Sequence, residues 1–257
     1  MIKAIFFDID GTLVSHQLKD VPLSTRQCIE ELKEKGIKVF ISTGRHLVEM
    51  RDLPTNNISF DGYVTLNGNI CLDQDYHYMY GTPFSKDITD HLVSLFEKKE
   101  VPLVLVESER FYLNYVNQDV ELAQAGISTP IPDLSMYQGD PVFQGTLFVT
   151  KQEEQSVAHY LPEGCKFTRW SPYGVDIIST TGGKVNGIEY FLKHYGIDRH
   201  EIMAFGDSDN DMDMLEYAGI GVAMGNAHGY VKDIADYVTT SVDDDGIAHA
   251  LKHFGVL

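Results

Sequence analysis

Ile5-Phe6-Phe7 is an apolar run without polar alternation, the pattern of a strand covered on both faces in a parallel sheet. It ends in Asp8-Ile9-Asp10-Gly11-Thr12. Two later runs share this design: Ile37 to Ile41 leads into Ser42-Thr43-Gly44-Arg45, and Ile202 to Phe205 leads into Gly206-Asp207-Ser208-Asp209-Asn210-Asp211. Between the first two, Ile29 and Leu32 have helical spacing, with Ser24 as the expected N-cap and Gly36 as the stop. Strand, helix and strand make a βαβ unit. A short helix is expected after Arg45, then a strand at Tyr63 to Leu66 ending in Asn67-Gly68-Asn69. A hairpin follows over 70–79, with Asp73-Gln74-Asp75 at its tip.

The pattern changes after Gly81-Thr82-Pro83. An amphipathic helix through Ile88, Leu92, Leu95 and Phe96 precedes strands at 102–106 and 111–116. A helix near 119–125, a strand at 145–150, a helix over 153–160 and strands at 166–170 and 175–179 complete the block. It is long enough to be a domain of its own. The first pattern resumes at Thr181-Gly182-Gly183-Lys184, with a helix through Ile188, Phe191 and Leu192, a strand at 203–205, a helix starting near Asp209 and a strand at 219–223. The expected fold is α/β: a doubly wound, Rossmann-like parallel-sheet core made of 1–81 and 183–257, with an inserted α+β domain at 82–182.

In a doubly wound sheet, ligands bind beyond the carboxyl ends of the strands, so Asp8, Asp10, Thr43 and Asp207 are candidates for one site. Each residue also has a plainer reading. Asp-Gly and Asn-Gly are turn signals, Thr43 suits a helix N-cap, and a lone lysine is usually exposed. Carboxylates for a hard cation, a hydroxyl and Lys184 for phosphate oxygens, and a spare carboxylate as nucleophile together make a phosphoryl-transfer site. Asp8, directly off its strand, is the expected nucleophile and a metal ligand, and Asp10 the acid and then the base. Thr43 and the Gly44 amide are expected to bind the phosphoryl group, with Lys184 neutralising its charge. Asp207 is a metal ligand, Asp211 supports metal-bound water or Lys184, and Asn210 touches the phosphate. Arg45 either contacts substrate or holds a site carboxylate. His46 reads as a surface residue, and the acids Asp243 to Asp245 as suiting the start of the last helix. Arg169, Trp170 and Tyr173 offer a guanidinium and aromatic faces to a sugar, with Trp170 as core residue the alternative.

The 257 residues carry a formal net charge of −18, which excludes nucleic acid and anionic membrane as partners. An anionic substrate then needs local attraction from Lys184, Arg45 and a bound cation, and Mg²⁺ is the hard ion suited to phosphate chemistry. Asp207, Asp209, Asp211 and Asp213 alternate as in a calcium-binding loop. That loop needs Gly at its sixth position and Glu at its twelfth, and the two possible starts meet Met212 and Ala218, or Met214 and Ile220. Three cysteines without Cys-x-x-Cys spacing suit reduced thiols. With no signal-peptide pattern and no membrane-length apolar run, the expectation is a soluble, cytoplasmic protein without an obligate protein partner.

Asp8-Ile-Asp10-Gly-Thr, Thr43-Gly-Arg45, Lys184 and Gly206-Asp207-Ser-Asp-Asn210-Asp211, in this order, resemble the haloacid dehalogenase (HAD) superfamily of phosphatases, and within it the Cof-type sugar-phosphate phosphatases with a large α/β cap. The resemblance implies a mobile cap at 82–182, an aspartyl-phosphate intermediate, the main-chain carbonyl of Asp10 as a further Mg²⁺ ligand, and Asn67 at the substrate. It also implies ester hydrolysis, because ATPase-like members lack an acid at the position of Asp10. Small phosphorylated metabolites are the implied substrates. A phosphomutase or phosphotransferase with the same intermediate, or a non-catalytic metabolite-binding protein, are the alternatives.

Overall fold

The computed structural model describes residues 1–50, 53–127 and 129–257. The chain forms β1 (Ala4–Phe7), α1 (Leu23–Glu34), β2 (Lys38–Ser42), α2 (Leu47–Met50), β3 (Gly62–Thr65), β4 (Ile70–Asp73) and β5 (Tyr78–Gly81). A second stretch forms α3 (Lys86–Lys98), β6 (Leu103–Val106), β7 (Phe111–Leu113), α4 (Gln118–Ile127), β8 (Gln144–Leu147), α5 (Glu154–Val157), β9 (Cys165–Ser171) and β10 (Gly174–Ser179). The chain ends with α6 (Lys184–Tyr195), β11 (Ile202–Gly206), α7 (Met212–Tyr217), β12 (Ile220–Ala223), α8 (Gly229–Ile234), β13 (Tyr237–Val238) and α9 (Gly246–His253). Two compact units result, one of Met1–Gly81 with Gly183–Leu257, the other of Thr82–Gly182.

The first unit is an α/β domain on an eight-stranded sheet of order β13-β12-β11-β1-β2-β3-β4-β5. The strands from β13 to β3 run parallel, and β4 and β5 add an antiparallel hairpin at one edge. From β1 the chain winds outward through β2 and β3, then returns to β1's other side with β11, β12 and β13. That reversal makes the carboxyl ends of β1, β2 and β11 the crevice of the sheet. Alternate residues face opposite sides. Phe6 and Phe40 stack at 4.8 Å and pack with Phe191, Ile188 and Leu192 of α6, while Phe7 stacks on Phe205 with the opposite parity. The strands read as unbroken apolar runs because both faces are covered.

One local expectation gives way to a long-range bond. Pro22, with φ near its fixed value, takes the N-cap place of α1, and the Ser24 hydroxyl donates instead to the distant Asp245 carboxylate. Asp243 likewise accepts from Ser15, so the acids before α9 also tie down the first loop. His46 is 2% exposed, its Nδ1 accepting the Val48 N–H at 3.2 Å, and is no surface residue.

The second unit is an antiparallel sheet of order β7-β6-β8-β10-β9 with helices α3, α4 and α5. Its core joins Leu92, Leu95 and Phe96 of α3 to Leu103, Leu105, Leu147, Val175 and Ile177 of the sheet. β7 stops at Leu113, short of the expected Val116. The buried Asn114 side chain takes over there, accepting from the Leu103 and Tyr115 amides and donating to the Phe96 and Val101 carbonyls. The Arg169 guanidinium is spent inside this unit on Glu154, at 2.7 and 2.9 Å, and on the carbonyls of Val149 and Ser171. Trp170 is half-buried, edge-on to Phe148, with its ring against Gly174.

Candidate active site

Asp8 emerges from β1 with its amide donating to the Phe205 carbonyl, so the neighbouring strand fixes where its side chain starts. A tight turn follows, in which the Leu13 and Val14 amides donate to the Ile9 carbonyl. Gly11 adopts φ +86°, and a Cβ there would lie 2.4 Å from the Asp207 Oδ2; only glycine fits both the backbone and the approach. Gly206 is constrained by contact alone, since a Cβ would meet the Asp211 side chain at 2.4 Å.

Lys184 opens α6 and is fully buried. Its Nζ donates to Asp8 Oδ1 at 2.6 Å and to Asp211 Oδ1 at 2.5 Å. Burial alone would lower the Lys184 pKa, but Asp211 and Asp8 outweigh it and raise it, so the ammonium is held charged. The other Asp211 oxygen accepts the amides of Asp207 and Ser208, both at 2.9 Å. With both oxygens committed, Asp211 orients Lys184 and the Asp207 loop. Asp213 supports the same region by accepting the Val185 amide of α6.

Asp8, Asp207 and Asp211 are buried, with one carboxylate oxygen of each lying within 4.8 Å of the others. Burial, then the charge of Asp211, pushes Asp8 well above the usual carboxylate range against the pull of Lys184. The same two causes, in the same order, push Asp207 up to about 7. One buried lysine among three buried carboxylates leaves negative charge uncompensated, which is the donor set and the charge a hard cation fits. Asp211 is already used, so Asp8 and Asp207 are the carboxylates able to hold such an ion.

Asp10 is set apart. Its two oxygens accept from Arg45 Nη2 at 2.8 Å and Nε at 2.7 Å, so Arg45 holds a site carboxylate. Thr43 is buried after β2, and its hydroxyl oxygen accepts the Arg45 amide, leaving the O–H proton to donate elsewhere. Since α2 begins only at Leu47, this is a local turn contact and Thr43 caps no helix, which leaves the phosphate-binding reading. Asn67 lies in the left-handed region at φ 52° and accepts from Asn210 Nδ2 at 3.0 Å. Both amides approach Gly44, so Gly44, Asn67 and Asn210 form one patch beside Thr43. Asp209 is drawn away to Tyr230.

Two contributors carried no sequence assignment. Thr12 Oγ1 donates to Asp207 Oδ1 at 3.2 Å, and Asn226 Nδ2 reaches both the Gly11 carbonyl at 2.8 Å and Asp207 Oδ2 at 3.3 Å. Thr12 closes the Asp8-Ile-Asp10-Gly-Thr motif, which gives its hydroxyl no partner in the sequence, and Gly225-Asn226 shows only a turn signal.

A buried lysine-carboxylate cluster and a separate, arginine-held acid thus stand at the crevice of a doubly wound sheet, where ligands of such sheets bind. A family model for haloacid dehalogenase-like hydrolases matches residues 5–251. YkrA of Bacillus subtilis (strain 168) is 33% identical over 258 residues, spanning 99% of this chain and 98% of that protein. From the same organism, 5-amino-6-(5-phospho-D-ribitylamino)uracil phosphatase YitU is 31% identical over 267 residues, spanning 97% and 96%. The solved structure of the HAD subclass IIB sugar phosphatase BT4131 superposes with a TM-score of 0.85 at 36% identity, covering 99% of this chain and 100% of that one. The chain belongs to the haloacid dehalogenase-like hydrolase family, and it is a phosphatase of the Cof type.

Proposed function

We propose that the chain is a Mg²⁺-dependent hydrolase of small phosphate monoesters, with sugar phosphates the first candidates, acting through an aspartyl phosphate on Asp8. The observation that carries this reading is the division of the two carboxylates: Asp8 lies in the buried cluster with Lys184 and Asp207, whereas Arg45 holds Asp10 outside it. An Asp8 oxygen attacks phosphorus, and the departing alkoxide takes a proton from Asp10. Water then attacks the phosphoryl group, giving its proton to Asp10, and the bond from phosphorus to Asp8 breaks to release phosphate. Both Asp10 oxygens accept hydrogen bonds from Arg45, which fixes the direction of this carboxyl group. Lys184 offsets charge on the phosphoryl oxygens, and Thr43, Gly44, Asn67 and Asn210 are the proposed seat of that group. Asp8, Asp207 and the Asp10 main-chain carbonyl would hold Mg²⁺, which would supply positive charge to offset that of the transferring phosphoryl group. Residues 82–182 are the proposed substrate-selecting cap.

Release of phosphate from an aryl phosphate, measured with Mg²⁺ and in excess chelator, tests the chemistry, and a panel of phosphorylated metabolites tests the substrate class. Full turnover in chelator would refute the metal. Asp10→Asn is expected to slow sugar phosphates by about a hundred- to ten-thousandfold, and aryl phosphates less, because their oxygens leave without protonation. Equal losses on both substrates would remove the acid role.

The metal also predicts a pH effect on stability. The Asp207 carboxyl is raised from about 4 in an unfolded chain to about 7 when folded. Its contribution is complete below pH 4 and is lost as pH rises through 7. Mg²⁺ binds the ionised form, so its gain in melting temperature should be larger at pH 8 than at pH 5.5. Equal gains at the two pH values would contradict the assignment.

A further inference from the structure

We propose that Thr12 and Asn226 form a clasp that aims the Asp207 carboxylate and thereby sets the affinity of the cation site, an inference that rests on the metal reading above. Asp207 is held by one donor on each oxygen, the Thr12 hydroxyl on Oδ1 and the Asn226 amide on Oδ2. A carboxylate offers about four lone-pair positions, so each oxygen keeps capacity for a cation while its direction is fixed.

The two donors come from different loops. Thr12 and Gly11 belong to the turn that follows the nucleophile, Asn226 to the loop after β12, and Asp207 to the end of β11. Asn226 joins all three: its Nδ2 donates to the Gly11 carbonyl and to Asp207, and its Oδ1 accepts the Val242 amide at 3.0 Å. This pattern also settles the amide's orientation, because a flip would face its oxygen against two acceptors. Gly11 completes the fit, since its missing Cβ is what lets Asp207 lie against the turn backbone.

The plainer role for Asn226 is to hold the loop at Val242 and nothing more. The two roles separate experimentally. Groups that orient a metal ligand typically contribute ten- to a hundredfold to metal affinity, whereas a loop tether affects only melting in chelator. Asn226 is exposed, so Asn226→Ala should fold. Thr12 is fully buried, and Thr12→Val matches its shape while deleting the hydroxyl, so it carries the test alone if the alanine protein does not fold.

The test is calorimetric titration of Mg²⁺ alone into the metal-free full chain, without substrate. Both variants are expected to bind about ten- to a hundredfold more weakly, and Thr12→Ser, which restores the hydroxyl, to return close to wild type. Folded Asn226→Ala or Thr12→Val protein that binds Mg²⁺ as tightly as the wild type overturns the clasp while leaving the metal reading intact. Wild-type protein that binds no Mg²⁺ overturns both.

Discussion

Asp8→Asn should lower phosphatase turnover by about four to six orders of magnitude, the scale seen when a nucleophile is deleted from a working set of catalytic groups. The amide keeps the shape and one acceptor for Lys184, but it cannot form the acyl phosphate. Stability should move the other way. The folded Asp8 carboxyl sits above its unfolded range because of burial and the charge of Asp211, so its contribution is lost as pH rises through the folded value. At pH 8 in chelator the asparagine protein should therefore melt at or above the wild-type temperature. Melting curves and phosphate release on the same preparation check both halves, and undiminished turnover would remove Asp8 from the mechanism.

Lys184→Met should damage both properties together. The methionine fills similar volume, but it leaves Asp8 and Asp211 buried beside each other without the ammonium that now bridges them. Removing one partner of a buried ion pair costs about 3–5 kcal/mol. The loss should be largest at neutral pH and smaller in acid, where a proton on Asp8 relieves the repulsion. Turnover should fall by about a hundred- to a thousandfold, the scale for deleting one preorganised donor to developing charge. Denaturant unfolding at pH 5 and pH 8 and steady-state rates with saturating Mg²⁺ would show whether the two effects coincide. A stable variant with normal turnover would mean that the lysine neither balances the cluster nor assists transfer.

What was readable in the sequence follows from the range of the forces involved. β1, β2 and β11 could be recognised because both faces of a central parallel strand are covered, leaving an apolar run that needs no partner to be seen. α3 and α6 were equally visible from periodicity. Residues that act from strand ends could be nominated from their order along the chain, but their pairings could not. Whether Lys184 was a surface lysine or a buried counter-ion depended on Asp8, 176 positions away. Ser24 reads as a cap by a local rule, but Asp245, 221 positions away, takes its hydroxyl in the fold. His46 shows no partner pattern in the sequence and so reads as a surface residue, although the Val48 amide gives its ring a partner inside the fold. Thr12 and Asn226 are silent in the sequence because the partners of their strongest bonds lie 195 and 215 positions off, and neither residue type announces such a role.

The place of β1 in the sheet also dictates when the protein can become active during its synthesis. β1 pairs with β2 after a short excursion, Ala4 meeting Lys38, whereas its other neighbour brings Ile202 to the same residue. Closing the second, roughly sixfold longer loop costs about 1.6 kcal/mol more in chain entropy by the logarithmic rule. If Thr82–Gly182 compacts first as a unit, the effective length is about halved and about 0.6 kcal/mol of that cost disappears. A nascent chain can therefore assemble β1, α1 and β2 early and carry Asp8, Asp10 and Thr43 in place. Lys184, Asp207 and Asp211 reach them only after the later segment has left the ribosome. Until then the exposed edge of β1 is an unpaired strand awaiting β11, the interval in which this chain is most open to mispairing and to chaperones.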